Sequence, residues 1–348
     1  MKILLINNSY PSPKYPEKST YIKSIYECIR STGAEVDKLV LIQTGDKIWD
    51  KIKNYFILYY ALCTSNLRQY SILYINHLTF MLPLFFRLPL YKGKVIIHWH
   101  GEELASNSII LNMFIYLYKH TLKTTYLHIS PSKYYKHIIN KKLGVPLHNI
   151  IVSPSGGVDT EVFSPSSTGH HKQNEFHIGI ASELSEHKGV QYFYDLIQHT
   201  PQIESITGRH IYFHYIIYGR DSAYWHTQLS KYHNVIPHMP YPKNIMPQYY
   251  NELNLLLMLS KRESLGLVVL EAMSCNIPVI GRDTASMPEL IQPGISGELV
   301  PYKLTLKDLI DRIKLICHNL SNYTPREYVI KNYSRIAVIM SYKKIFSE

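Results

Sequence analysis

KRESLGLVVLEAMSCNIPVIGRDTASMPELIQPGISGELV, residues 261–300, is the stretch of sequence that decides the fold. Glu263 and Glu271 stand eight positions apart, and Gly266 lies between them at the start of an apolar run. A second apolar run follows at residues 278–281 and has the length of a short buried strand. The pattern predicts a strand end, a turn of small residues, a helix and then another strand.

The predicted helix start near Gly266 is suited to binding an anion. The first turn of a helix has N–H groups without intrahelical partners and carries about half a positive charge, so it binds phosphate without a dedicated side chain. A helix that begins there contains Glu271 and leaves Glu263 in the loop. Eight residues of helix span about 12 Å, which is comparable to the reach from a nucleotide's ribose to a sugar on its diphosphate. The alternative, an amphipathic helix with two solvated glutamates, explains neither Gly266 nor the strand that follows.

The same run resembles the donor-binding motif of retaining glycosyltransferase family 4, the glycosyl transferases group 1. The family pattern has two glutamates separated by seven residues, then A-M-A-x-G-x-P-V-I, and later P-E, G and G-x-L-V. This chain departs from it at Ser274 and Asn276. The resemblance implies an α/β protein of GT-B fold: two doubly wound, Rossmann-like parallel-sheet domains face each other across a cleft, and a C-terminal helix crosses back to the first domain.

The resemblance also implies a role for each residue of the motif. Glu263 is expected to bind the distal hydroxyls of the donor sugar, and Glu271 the ribose. The backbone amides of the turn are expected to hold the phosphates. The other donor-site residues that the resemblance implies are Ser264, Leu265, Gly266, Leu267 and Arg262.

A second phosphate-binding element is matched only in part. In LSEHKGVQYFYDLI, residues 184–197, Lys188 and the glycine after it open a predicted helix. The family has G-R-L-x-x-x-K-G here, and its Arg and Lys bind the diphosphate; Lys188 matches the Lys, but Glu183 stands at the Arg position. A carboxylate there would repel a diphosphate, so either the local alignment shifts or the cation comes from elsewhere, with Arg262 and Arg220 as candidates. The alternative for Lys188 is a surface lysine at a helix start, where positive charge is unfavourable.

A strand with two histidines marks the first half of the chain. In VIIHWHGEEL, residues 95–104, alternation places His98 and His100 on one face. The family has H-G or H-D at this strand end, with the histidine near the donor sugar, and His100 matches it. We therefore expect His100 to be catalytic and His98 to lie in the core. A metal bound by H-x-H is the competing interpretation, but no third ligand has suitable spacing.

Two further matches concern the loops. Residues 233–263 resemble a family stretch in which the strand end packs against the nucleotide base, and this implies that Met239 and Pro240 contact the base. The first loop, residues 7–24, stands where many relatives place a double glycine against the donor phosphate. Ser19 and Thr20 occupy the approximate position of those glycines, and a plain acceptor-side loop is an equally good interpretation.

The order of apolar runs predicts the domain organisation. Six strand-like runs precede a polar break at residues 164–175 and five follow it, alternating with helix-period segments, which is typical of parallel α/β sheets. Residues 143–165 resemble the family's domain junction. The predicted divisions are residues 1–165 for a basic, acceptor-binding domain, 166–325 for the nucleotide-sugar domain and 326–348 for C-terminal helices that pack on the first domain.

Charge is concentrated in the first half of the 348-residue chain. Residues 1–150 contain 19 Lys and Arg against 8 Asp and Glu, whereas residues 151–348 contain 18 of each, so the first part accounts for the whole net charge of +11. Together with the aromatic-rich residues 55–60 and 81–94, this charge suits an anionic membrane surface or a phosphorylated acceptor. Nucleic acid is the rival partner, but no recognised binding motif accompanies the charge. A solvated basic face without a partner is the remaining alternative.

Composition excludes several classes of protein. Apolar residues are 46% and charged residues 18%, as in globular chains, and no run of eighteen apolar residues could span a bilayer. The N-terminus has too short an apolar run for a signal peptide. The four scattered cysteines have no metal or disulfide spacing and are expected to be reduced thiols in a cytoplasmic protein.

These observations predict a hexosyltransferase that uses a nucleotide diphosphate sugar, such as a UDP-sugar, as donor and the hydroxyl of a glycan or lipid-linked acceptor. The expected process is bacterial surface polysaccharide or lipopolysaccharide synthesis at the inner face of the cytoplasmic membrane. No cofactor and no metal are expected. The alternatives are a GT-B sugar-nucleotide epimerase or hydrolase and a weakly catalytic, membrane-associated binding subunit. Glu183 and the missing glycines favour the last of these.

Overall fold

The fold is described from a computed structural model, which covers residues 1–15, 19–45, 47–104, 109–122, 125–166 and 174–347. The chain divides into two compact units. The first unit contains Met1–Gly157 together with Arg335–Glu348, and the second contains Val158–Ser334. Residues 167–173 of the predicted linker and 16–18 of the predicted first loop lie outside the described residues.

The first unit is built on a parallel sheet of six strands in the described part of the chain. Its strands are β1 (Lys2–Tyr10), β2 (Glu35–Ile42), β3 (Ile72–Asn76), β4 (Lys94–His98), β5 (Leu127–Ser130) and β6 (Ile150–Val152). Their order across the sheet is β2-β1-β3-β4-β5-β6. The direction of chain progression therefore reverses between β1 and β3, and open α/β sheets bind their ligands at the carboxyl ends of the strands at such a reversal.

Helices connect these strands. They are α1 (Thr20–Arg30), α2 (Ile48–Thr64), α3 (Leu84–Arg87), α4 (Ile109–Thr121) and α5 (Lys133–Leu143). The chain returns at its end, because the last helix, numbered α14 (Arg335–Ser347), packs against α1. Tyr342 of this helix is buried and its hydroxyl donates to the Ser155 carbonyl oxygen at 3.1 Å.

The second unit repeats the architecture with another six-stranded parallel sheet within the described residues. Its strands are β7 (Glu175–Ile180), β8 (His210–Ile216), β9 (Val235–His238), β10 (Leu255–Met258), β11 (Val279–Arg282) and β12 (Gly297–Val300). The order is β12-β11-β10-β7-β8-β9, so the reversal falls between β7 and β10. The helices are α6 (Val190–Gln198), α7 (Thr200–Thr207), α8 (Ser222–Leu229), α9 (Met246–Asn251), α10 (Leu267–Ser274), α11 (Met287–Leu290), α12 (Leu306–His318) and α13 (Pro325–Tyr333).

The sixth strand of this sheet, β12, was absent from the sequence prediction. It has four residues and begins with a glycine, which gives it no apolar run to detect. Gly297 is required by close packing, because a Cβ atom there would lie 2.0 Å from the carbonyl oxygen of Val279 on the neighbouring strand. The strand is thus specified by its contact with β11 and not by its own composition.

Both cores lie on the faces of the sheets, as parallel architecture requires. In the first unit, buried side chains of β1, β3 and β4 pack against α2, α3 and α4 on one face and against α1 and α14 on the other. In the second unit, α6 and α12 cover one face and α9 and α10 the other. None of the described helices is both long enough and apolar enough to cross a lipid bilayer.

Candidate functional site

Two loops meet at the strand reversal of the second unit. One follows β7 and ends at Gly189, and the other follows β10 and ends at Gly266. A hydrogen bond from the Lys261 N–H to the His187 carbonyl oxygen, 2.9 Å long, joins them. Gly189 allows the close approach, since a Cβ at this position would lie 2.7 Å from the Leu259 carbonyl oxygen. The two loops, joined by this backbone hydrogen bond, therefore form one continuous surface at the carboxyl edge of the sheet.

The helix α10 starts where the sequence predicts. Gly266 is its N-cap in the left-handed region, with φ of 82°, and no side chain caps the helix. The N–H groups of Leu267 and Val268 therefore have no intrahelical acceptor, as in every first helical turn. A side chain at Gly266 would be strained, and its Cβ would lie 2.6 Å from Cε of Met287. The geometry matches that of an anion-binding helix start.

An ion pair stands beside this helix start. The Lys188 ammonium lies 2.7 Å from Oε1 of Glu263, and the two side chains are 29% and 14% exposed. Lys188 ends a short 3-10 turn just before α6, and Glu263 lies in the loop before α10. The hydroxyl of Ser286 donates to the Glu263 carbonyl oxygen at 3.2 Å and fixes the backbone of that loop. The two loops thus bring a positive and a negative side chain into contact at the strand reversal.

The second glutamate of the motif lies inside α10 in a more enclosed setting. The Tyr250 hydroxyl donates to Oε2 of Glu271 at 3.1 Å, and the Lys243 ammonium lies 3.7 Å from Oε1. Burial raises the pKa of the Glu271 carboxyl above its ordinary value, and the nearby Lys243 charge opposes that rise. The carboxyl is 12% exposed and keeps part of its surface in contact with solvent.

Lys243 and Tyr250 were missed by the sequence analysis. Neither belongs to a pattern that singles it out, because their meeting with Glu271 depends on how the segment between β9 and α10 folds back. Lys243 is a cation beside Glu271, in addition to the candidates Arg262 and Arg220 considered above. Glu183 itself accepts a hydrogen bond from the Ser185 hydroxyl at 3.3 Å.

Other predicted donor-site residues lie around this centre or apart from it. Ser264 and Leu265 belong to the loop before α10, and Leu265 is buried. Arg262 and Arg220 are both exposed. Met239, 71% exposed, and Pro240 follow β9, which is separated from β7 by β8 in the sheet. The structure thus groups Lys188 and Glu263 at one point and places Met239 and Pro240 two strands away.

In the first unit, three imidazoles form a stack at the carboxyl ends of β3 and β4. The ring centroids of His77 and His100 are 4.5 Å apart, as are those of His100 and His98. The Glu103 carboxylate lies 2.8 Å from Nδ1 of His77 and accepts from the His100 N–H at 2.8 Å. Nε2 of His100 is 3.0 Å from Oδ1 of Asn76, so that nitrogen is the donor. His100 is half-buried.

His98 is a core residue, as predicted. It is fully buried, with Nδ1 2.7 Å from the Tyr74 hydroxyl, and it ends β4 two residues before His100, where the sequence analysis expected the strand to end. Burial, assisted by repulsion from His77, lowers the pKa of His98 to about 3. The pKa of His100 is likewise held well below 6.5, first by burial and then by His77 and His98.

The predicted acceptor-side loop borders a cavity. Ser19, with φ of 53°, precedes α1, Thr20 is the first helical residue, and the hydroxyls of Ser9 and Ser19 are 2.5 Å apart. A cavity of about 250 Å³ opens near the carboxyl ends of β1 and β2. Its lining combines aromatic and polar side chains, among them Tyr10, Tyr15, Tyr55, Gln43, Lys51 and Asn54. Such a mixture suits a sugar, which offers both ring faces and hydroxyls.

The ion pair at the strand reversal allows a first prediction. We expect Lys188→Met and Glu263→Gln each to lower the free energy of unfolding by about 1–3 kcal/mol, because each leaves a partly buried charge without its partner. The double variant should lose less than the sum, with a coupling energy of about 1 kcal/mol. Urea denaturation of the four proteins measures this coupling. The exposed pair Lys23–Glu27, at 3.9 Å, is the control and should show coupling near zero; equal coupling at the two pairs would contradict the assignment.

The buried histidines allow a second prediction, which concerns the stability of the folded protein at low pH. Below a pH of about 6.5, His98 takes up a proton in the unfolded chain but stays neutral in the folded unit. The folded state therefore loses free energy of unfolding as the pH falls from about 6.5 toward 3. Each such histidine should lower the free energy of unfolding by up to about 1.4 kcal/mol per pH unit. Urea titrations at about pH 7 and pH 5 measure the slope. His98→Gln should reduce it and the exposed His148→Gln should not; an undiminished slope in His98→Gln would refute the prediction.

Comparison with known proteins bears on the family and on the fold. Residues 166–335 match the family described as glycosyl transferases group 1. An uncharacterized 41.2 kDa protein in the cps region of Klebsiella pneumoniae is 25% identical over 67% of this chain and 64% of its own length, so the chain spans less than two thirds of that relative. Anabaena Alr3699/HepE, solved with UDP and glucose, aligns over 100% of this chain and 99% of its own, with a TM-score of 0.74 and 16% identity.

A lipopolysaccharide outer core galactosyltransferase, WaaB, solved in its apo form, aligns with a TM-score of 0.71 and 18% identity over 100% of this chain and 99% of its own. These structural likenesses extend over both units and concern the fold. The family match covers the unit that contains the Lys188–Glu263 pair and α10. The second unit therefore contains a glycosyl transferases group 1 domain, and the chain has the GT-B fold.

Proposed function

We propose that this protein is a retaining, metal-independent transferase of family 4, which moves a hexose from a nucleotide diphosphate sugar to the hydroxyl of a glycan or lipid-linked acceptor. One observation carries the proposal: Lys188, Glu263 and the uncapped start of α10 lie together at the strand reversal of the second unit. A cation, a carboxylate and free N–H groups are the three kinds of group that a sugar diphosphate needs.

Each part of the donor has a partner in this arrangement. The diphosphate is bound by the Lys188 ammonium and the amides of residues 265–267, where the helix dipole adds positive potential. Glu263 accepts hydrogen bonds from the distal sugar hydroxyls. Glu271, one and a half turns into α10, accepts from the ribose hydroxyls, while Lys243 and Tyr250 hold its carboxylate in place.

The chemical step needs charge stabilisation more than a base. The bond between the sugar C1 and the diphosphate oxygen breaks, and a bond from the acceptor oxygen to C1 forms on the same face. The acceptor proton passes to the leaving phosphate oxygen, so charge balances without a carboxylate base. Negative charge develops on the diphosphate, where Lys188 and the helix start are already directed, and such pre-organised groups supply the largest catalytic effect in many enzymes.

The two glutamates should have separable effects. We expect Glu271→Ala to weaken nucleotide diphosphate binding about 10- to 100-fold, because a buried acceptor of ribose hydroxyls is lost. Glu263→Gln should lower kcat by at least about tenfold with a smaller change in nucleotide affinity. Calorimetry with the nucleotide and steady-state kinetics measure the two effects. Glu161→Gln, at an exposed position, is the control. Equal and small effects of the Glu271 and Glu263 variants would contradict the roles assigned to the two residues.

A panel of nucleotide sugars tests the reaction as a whole. With an acceptor glycan present, the transferase should form a product that keeps the donor's anomeric configuration, as read by NMR, and turnover should continue in EDTA. Nucleotide release without an acceptor would instead identify a hydrolase. Calorimetric binding without turnover would identify a binding subunit, the alternative that Glu183 favours. Inversion at the anomeric carbon would contradict the retaining mechanism.

For the first unit we propose acceptor binding. The cavity near Tyr10, Tyr15 and Tyr55 has aromatic faces for sugar rings, and the buried amide of Asn54 supplies a hydrogen-bond donor with no acceptor among the described residues. His100 is proposed to contact the transferred sugar, with its tautomer fixed by Asn76. The lipopolysaccharide outer core galactosyltransferase among the structural neighbours supports an acceptor of the surface-glycan class.

An exposed apolar face in the same unit supports a membrane-bound acceptor. Along α2, Ile48, Ile52, Phe56 and Tyr60 recur every four residues and are all more than half exposed, and Trp49 beside them is 75% exposed. The neighbouring segments also have exposed apolar side chains, namely Phe86, Leu90, Met113 and Tyr116. With the basic charge of this part of the chain, the face suits an anionic lipid surface. We propose peripheral attachment at the inner face of the cytoplasmic membrane.

Vesicle partitioning tests this attachment. We expect the double variant Trp49→Glu with Phe56→Glu to bind anionic vesicles about 10- to 100-fold more weakly than the parent, because two buried apolar contacts are replaced by charges that the lipid repels. Co-sedimentation with vesicles that contain phosphatidylglycerol measures the partition. Tyr224→Glu, which changes a 61% exposed side chain in the second unit, is the matched control and should bind normally. Equal binding by the parent and the double variant would contradict the proposal.

A further inference from the structure

Three buried or partly buried histidines form a connected row across the sheet of the second unit. His177 lies on β7, His214 on β8 and His238 at the end of β9. Nδ1 of His177 is 2.8 Å from Nε2 of His214, and Nδ1 of His214 is 3.0 Å from Nε2 of His238. Three consecutive strands each supply one imidazole on the same face, and none of the three belongs to the proposed donor site.

A carboxylate completes this cluster. Oε2 of Glu252, the residue after α9, lies 3.9 Å from Nδ1 of His214 and 3.7 Å from Nε2 of His238. A point equidistant from these two nitrogens and the oxygen lies about 2.1 Å from each, which is the circumradius of the triangle they form. Zn²⁺ binds imidazole nitrogen and carboxylate oxygen at about 2.0–2.2 Å. The three atoms are therefore close enough together for one ion to contact all of them after small shifts of the side chains.

Each imidazole has a partner for the ring nitrogen that does not face the ion, and an ion would replace the hydrogen bond between Nδ1 of His214 and Nε2 of His238. With a cation at Nδ1 of His214 and Nε2 of His238, the protons reside on the opposite ring nitrogens. His214 then donates from Nε2 to His177, and His238 donates from Nδ1 to the Tyr241 hydroxyl at 3.0 Å. Metal-binding histidines characteristically have such a partner for the second nitrogen, which orients the ring.

We propose that His214, His238 and Glu252 bind one divalent transition-metal ion of the Zn²⁺ class, with water in the fourth position. Two imidazoles and a carboxylate form a ligand set that this class accepts, whereas Mg²⁺ and Ca²⁺ prefer oxygen alone. The Glu252 carboxylate is 45% exposed, so ion and water have access from solvent. The ion links β8, β9 and the end of α9 and thereby stabilises the unit. This site goes beyond the proposed transfer reaction and shares none of its residues.

Metal binding by the full-length protein after EDTA treatment and dialysis tests the proposal. We expect calorimetry with Zn²⁺ to show one high-affinity equivalent and bound Co²⁺ to give the visible absorption of a tetrahedral site. At a free Zn²⁺ concentration of about 100 times Kd, the thermal midpoint of the second unit should rise by about 5 °C. Absence of a stoichiometric equivalent would overturn the proposal, because the row would then be a hydrogen-bonded chain of imidazoles only.

Variants separate this site from surface histidines that bind zinc weakly. Glu252→Gln changes a partly exposed side chain and should lower Zn²⁺ affinity about 10- to 100-fold while far-UV circular dichroism stays unchanged. His238→Gln should abolish the Co²⁺ absorption. His233→Gln, at an exposed position outside the cluster, is the control and should bind like the parent. Undiminished affinity and absorption in both site variants would refute the assignment.

Discussion

The candidate site depends on how closely two backbone loops approach at one edge of a sheet. Gly189 lies against the backbone of Leu259, and Gly266 lies against Met287; both glycines have φ of 82°. A side chain at Gly189 would separate the loops that follow β7 and β10, and one at Gly266 would collide with Met287 at the start of α10. Because they are in contact, Lys188 meets Glu263, and the first turn of α10 begins beside that pair. The positions of these charges in the second unit therefore depend on the space that the two glycines leave.

Both units have a reversal of strand order in their sheet, but different kinds of side chain lie beside it. Each parallel sheet reverses its strand order once, and each has polar side chains at the carboxyl ends of the strands near that reversal. In the second unit these are a lysine and a carboxylate, which suit a charged donor. In the first unit they are stacked imidazoles with Tyr21, Asn76 and Glu103, which are suited to hydroxyl groups. The fold supplies the position, and the local sequence supplies the chemistry.

Histidine has two distinct uses in this protein. His98 and His128 are buried beside tyrosine or tryptophan partners, and burial lowers the pKa of each to about 3, so they serve as neutral hydrogen-bonding groups of the core. The row through His214 and His238 instead ends at a carboxylate that is open to solvent. The sequence analysis detected only the H-x-H of β4, because the second row takes one histidine from each of three strands that are far apart in the chain.

The sequence by itself determined the fold class, eleven of the twelve described strands and the position of α10, because apolar periodicity and the glycine before the helix are local properties. It also singled out Glu263 and Glu271 through an ordered motif and Lys188 through a second element that matches in part, and the roles of the three residues stay predictions. Only the tertiary structure decided that Lys188 pairs with Glu263, that Lys243 and Tyr250 reach Glu271, and that β12 completes its sheet. These features join residues up to 75 positions apart, and such contacts depend on chain packing, which no local pattern encodes.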